Sequence, residues 1–80
     1  MARMTLLYFA SLRERAGLER ELVDSAARTL ADLYDEAAGR HVLGWPRDHL
    51  RVAVDGEFAH WHDMPRSGSE IAFIPPVSGG

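Results

Sequence analysis

With no cysteine among its 80 residues, this chain has neither a disulfide nor a thiolate-bound zinc to staple it, so its fold must be closed by packing alone. Eighty residues are expected to make one small domain, and their 46% hydrophobic content is adequate for its core. Any sulfur such a protein handles must be borrowed from another molecule. The first residues contain no long apolar run and no spanning segment follows, so no membrane partner and a cytoplasmic location are expected. A net charge of −3 gives no electrostatic footprint for nucleic acid. All nine basic residues are arginine. The chain therefore offers no lysine amine for isopeptide linkage to itself, although GC-rich codon usage explains the same bias.

Aromatic and branched residues over residues 3–10 predict a strand, with Leu6 and Tyr8 on one face and Leu7 and Phe9 on the other. Residues 11–17 read as a charged turn region closed by Gly17, and residues 19–24 as the second arm of a hairpin. The clearest element is a helix. Thr29 is a good N-cap with Asp32 three residues on, and Leu30, Leu33, Tyr34 and Ala37 form one apolar stripe. Gly39 is the expected stop. Residues 40–49 read as a loop, residues 50–54 as a third strand, and Asp55-Gly56 as a type I′ hairpin turn into Phe58 and Ala59. A loop over residues 60–68 precedes a last strand at residues 69–74.

That order predicts an α+β fold: a mixed sheet in two layers, with one main helix across one face. A β-grasp arrangement fits, with the first and last strands side by side at the sheet centre. The expected core is Leu6, Tyr8, Leu30, Leu33, Ile71 and Phe73. Residues 1–74 then form the domain and residues 75–80 an extended tail.

The tail, Pro75-Pro76-Val77-Ser78-Gly79-Gly80, carries the functional signal. Prolines lack the N–H that a ladder needs, so the two should end the strand and stiffen the chain away from the body. The four residues beyond them span about 13 Å at full extension. Glycine alone permits close backbone approach in a narrow channel, and the group delivered at the end is the Gly80 α-carboxylate. The pattern suits a carrier whose C-terminus is activated and then loaded or joined to something. A terminus that ends in glycine by accident is the plainer explanation.

In this setting the chain resembles the MoaD family, the small sulfur-carrier subunits of molybdopterin synthase, within the ubiquitin-like MoaD/ThiS carriers. Tyr8-Phe9-Ala10-Ser11-Leu12-Arg13-Glu14-Arg15-Ala16-Gly17 resembles that family's Phe-Ala-x-Leu-Arg-Glu-x-Ala-Gly pattern. Val52-Ala53-Val54-Asp55-Gly56 matches its central hairpin, where asparagine is commoner at the place of Asp55. Glu70-Ile71-Ala72-Phe73-Ile74 and the tail match its end. Ser67-Gly68-Ser69 departs from the family's Asp-Gly-Asp, and Arg66 stands where an apolar residue is common.

The resemblance implies a sulfur carrier, itself non-catalytic. An E1-like (MoeB-like) enzyme would adenylate Gly80 with ATP, and a persulfide from a cysteine desulfurase or rhodanese would leave a thiocarboxylate. The loaded tail, Gly79 included, would enter a MoaE-like large subunit. That subunit would hold the acid/base groups while the sulfur builds the molybdopterin dithiolene. No tightly bound cofactor is implied. Pro75, Pro76, Val77 and Ser78 would fit the receiving channel. Phe9 and Ile74 by strand parity, and Phe58 by the resemblance, would form a docking patch opposite the helix; ordinary packing under the 60–68 loop is the alternative. Arg13 would pair with an acidic partner group or simply remain solvated. His60 and His62 share the spacing of one strand face but lack a third ligand, so no metal site is expected.

Three other functions compete: a thiocarboxylate carrier for thiamin, cysteine or tRNA thiolation, a ubiquitin-like modifier joined to target lysines, and a binding module with an inert tail. Pro-Pro-Val before Ser-Gly-Gly favours the molybdopterin reading.

Overall fold

The computed structural model describes residues 1–76. Five strands form one sheet in the order β2-β1-β5-β3-β4. They are β1 (Ala2–Tyr8), β2 (Arg20–Ser25), β3 (Arg51–Val54), β4 (Glu57–Ala59) and β5 (Glu70–Ile74). β1 and β5 pair in parallel with Leu6 beside Ile71 and Tyr8 beside Phe73. Every other pairing is antiparallel. The expected mixed sheet, with the first and last strands adjacent at its centre, is the one observed.

Helix α2 (Leu30–His41) covers one face. Thr29 caps it as expected, its hydroxyl accepting from the Asp32 N–H at 3.1 Å. Two more of its first amides donate to the 60s loop: Leu30 N–H to the Asp63 carbonyl and Ala31 N–H to that of Trp61, both at 2.9 Å. That loop therefore closes over the helix rather than over the opposite sheet face. Beneath α2, Met4, Leu6 and Tyr8 meet Val52, Ile71 and Phe73, with Leu30, Leu33, Tyr34 and Ala37 above them. All six expected core residues are fully buried.

Several expected boundaries move. Residues 11–17 are not a turn: α1 (Ala10–Ala16) occupies them, capped by Gly17 at φ 77°. Seven residues do not make a stable helix on their own. This one is fixed because Leu12 is buried and Ala16 packs against the core one turn on. The first strand accordingly stops at Tyr8, and Phe9 keeps extended angles as the α1 N-cap. α2 continues through Gly39 and ends at Val42, which takes the left-handed conformation at φ 52°. The extra residues persist because Arg40 and His41 both bind Glu21 of β2, and because Leu43 beyond them is buried. The expected loop after the helix contains a 3₁₀ turn at Arg47–His49. β2, β3 and β5 each begin one residue later than expected. Asp55 and Gly56 both have positive φ, 51° and 87°, as a type I′ turn requires.

Candidate functional site

Among the described residues, the sheet face opposite α2 carries no helix, and its cross-strand register sets what it displays. Leu7 of β1 lies beside Arg20 of β2 and Ala72 of β5; Ala72 faces Ala53 of β3, and Ala53 faces Phe58 of β4. One row thus runs across the whole sheet with small residues at its centre. That leaves a shallow apolar depression of about 270 Å³, bordered also by Phe9 and Ile74. Phe9 is 45% exposed and Phe58 68%. The sequence pairing of these three residues is therefore a spatial one, on an open surface rather than beneath the 60s loop.

Charge frames this floor. The Arg51 guanidinium lies 5.2 Å from the centre of the Phe58 ring. Arg20 pairs with Glu70 at 3.0 Å, and Arg3 with Asp24 at 3.0 Å. Hydrogen bonding to Arg3 holds the Asp24 carboxyl below its ordinary range. Such exposed pairs contribute little stability, and they place polar groups around an apolar centre.

β5 leads out of the sheet beside this face. Pro75 is buried and Pro76 exposed. They border a second apolar groove, of about 690 Å³, whose other walls are Phe9, Ala10, Ser11, Trp45 and Ile74. Ser11 and Trp45 were not among the expected site residues. A lone tryptophan in a loop of mixed composition gives no periodic signal, and Ser11 was assigned to a turn. Ala10 takes φ 49°, an uncommon conformation for a residue with a Cβ, at the point where strand becomes helix. Arg13 projects from α1 and is exposed. Val77, Ser78, Gly79 and Gly80, expected to form the working end, lie outside the described residues.

His60 and His62 stack with ring centres 5.4 Å apart and planes inclined by 10°, both exposed. They lie past the end of β4, and among the described residues no group of three or more His, Asp or Glu side chains is placed to hold a metal. Among those residues no helix is long and apolar enough to cross a membrane.

The sequence pattern of the ThiS family matches residues 6–80. The chain is 35% identical to small archaeal modifier protein 1 of Haloferax volcanii over 82 residues, spanning 90% of this chain and 94% of the relative. It is 37% identical to the molybdopterin synthase sulfur carrier subunit of Drosophila ananassae over 79 residues, spanning 94% and 88% respectively. The fold superposes on the crystal structure of SAMP1 from Haloferax volcanii with a TM-score of 0.82 at 34% identity, covering 99% of this chain and 100% of the other. With an open apolar sheet face, a central last strand and a match that runs through the final residue, this chain belongs to the ThiS family and has the ubiquitin-like β-grasp fold of its relatives.

Proposed function

We propose that this protein is the sulfur-carrier subunit of a molybdopterin synthase. The observation that carries the reading is the family match extending to residue 80 on a chain whose central strand β5 runs directly into Pro75-Pro76 beside the open sheet face. A carboxylate is a poor electrophile, so the Gly80 end must first gain a good leaving group. An E1-like, MoeB-like enzyme supplies it by attaching AMP from ATP and releasing pyrophosphate. A persulfide sulfur from a cysteine desulfurase or rhodanese attacks the acyl carbon and expels AMP. A second thiol then takes the donor sulfur as a disulfide and leaves the thiocarboxylate. ATP thus serves the activating enzyme, and the carrier holds no cofactor of its own.

Phe9, Phe58 and Ile74 act as the docking floor for these partners, with Arg13 meeting acidic groups at its margin. Pro75, Pro76, Val77, Ser78 and Gly79 carry Gly80 into a MoaE-like large subunit, which provides the acid/base groups. A second reading, a modifier joined through Gly80 to target amines, is favoured by the name of the Haloferax relative.

Intact mass after incubation with ATP, an activating enzyme and a sulfur donor tests the reading. A gain equal to sulfur replacing oxygen, absent when Gly80 is deleted, supports the carrier. No gain with an enzyme shown to work on another carrier refutes it. Transfer of the sulfur to a cyclic pterin by a large subunit distinguishes this pathway from thiamin, cysteine or tRNA thiolation, and attachment to lysines identifies the modifier.

A further inference from the structure

Trp45 lies in the loop after α2, yet two of its three polar groups are tied to other elements. Its indole N–H donates to Ser11 Oγ of α1 at 3.0 Å. Its carbonyl accepts from the Tyr34 hydroxyl of α2 at 2.7 Å. A large planar ring held at its N–H and at its backbone has one orientation rather than several. The residue is partly buried and lines the groove bordered by Pro75 and Pro76. Pro75 itself is buried, and its ring fixes φ near −65°, so the chain leaves the body with little angular freedom.

We infer that Trp45, held by Ser11, is a positioning residue: with the two prolines it sets the direction in which the chain leaves the body, and hence how the Gly80 carboxylate enters the activating site. The inference rests on the carrier reading above. It deepens that reading by separating two tasks. The open face supplies affinity, and the groove beside the prolines supplies aim. The ring also packs against the core and meets His49 edge-on at 6.4 Å between ring centres, so stability and aim have to be read separately. Trp45, Pro75 and Pro76 line the same groove, and misplacement by about 1 Å at a reacting group costs on the order of 10²-fold in rate.

The test uses the full chain with its activating enzyme, following pyrophosphate release at varied carrier concentration. Trp45→Ala is expected to lower kcat by roughly 10- to 100-fold while KM for the carrier stays within about threefold, a change too small to signal a lost binding contact. Trp45→Phe, which keeps a ring but loses the N–H, and Ser11→Ala, which removes the acceptor, are expected to fall between Ala and the unaltered protein. Thermal unfolding of each variant sets a temperature at which all are folded, so a loss of kcat there is not a loss of protein. A rise in KM with kcat intact overturns the inference and makes the groove a binding subsite. Unchanged kcat and KM in Trp45→Ala also overturn it. If the unaltered chain is never adenylated, the carrier reading falls and the assignment of Trp45 falls with it.

Discussion

The buried Tyr8 hydroxyl donates to Oε1 of Glu21 at 2.8 Å, tying the sheet centre to its edge strand. The same oxygen accepts from Arg40 at 3.0 Å and lies 3.1 Å from Nε2 of His41, so one carboxylate fastens β1, β2 and the end of α2. Burial alone would raise the Glu21 carboxyl, but the bonds from Tyr8, His41 and Arg40 outweigh it and hold the group below its ordinary value. Burial and the bond to Glu21 push the Tyr8 phenol well above its ordinary value.

These opposite shifts predict two pH limbs. The contribution of Glu21 is complete above the unfolded carboxyl value of about 4.3 and is lost as pH falls through the lower folded value. That of Tyr8 is complete below the unfolded phenol value of about 10 and is lost as pH rises toward the higher folded one. Urea unfolding across the pH range should show both slopes. Tyr8→Phe should remove most of the alkaline slope and cost about 1 kcal/mol at neutral pH, because Glu21 keeps its other partners. An alkaline limb identical in Tyr8→Phe and the unaltered protein would assign it to another group.

Ser25 is 4% exposed and its hydroxyl works twice, donating to Glu36 Oε1 at 2.7 Å and accepting from the Ala27 N–H at 3.0 Å. It fixes the corner between β2 and α2. Ser25→Ala leaves a partly buried amide without its acceptor, so a loss of about 1–2 kcal/mol is expected in chemical denaturation. A change below about 0.3 kcal/mol would mean that water replaces the hydroxyl at this corner.

Val42 is β-branched, 72% exposed and held at φ 52°. A branched Cβ in the left-handed region costs about 1–2 kcal/mol, and there is little burial to lose on removing it. Val42→Gly should therefore raise stability by about 1 kcal/mol and lift the melting temperature by several degrees. A lower melting temperature would show that the exposed isopropyl group makes a contact worth more than the strain.

Phe58 lies at the edge of the open face beneath Arg51, with most of its ring exposed. Phe58→Ser is expected to leave folding stability within about 0.5 kcal/mol. It should weaken affinity for the activating enzyme or the large subunit by roughly 10-fold or more, as for an aromatic anchor. Titration calorimetry against either partner reads this directly, and equal affinity would remove Phe58 from the docking surface.

The sheet was legible because its signals are local. Leu6, Tyr8, Ile71 and Phe73 alternate with the period of a strand, and Asp55-Gly56 demands a two-residue turn. α1 was not legible, since after Ala10 its only apolar residues are Leu12 and Ala16 inside a charged stretch, and only the finished core makes them count. The helix stop at Val42 was hidden for a related reason. Gly39 has the chemistry of a terminator, but Glu21, distant in sequence, holds the next turn in place. Strand parity placed Phe9 correctly although the strand ends before it, because the cap residue keeps extended angles. Trp45 and Ser11 escaped notice because their relationship exists only after α1 and the 40s loop meet.

Among the described residues, β5 is the strand that joins the β2-β1 half of the sheet to the β3-β4 half. It also follows the other four in chain order, so during synthesis each half waits as an unclosed ladder until Ile74 has emerged. A transcript broken before Glu70 yields a product that lacks the keystone strand and exposes both inner edges, and such a product is a ready substrate for proteases. A closed sheet is therefore one that has already received its keystone strand.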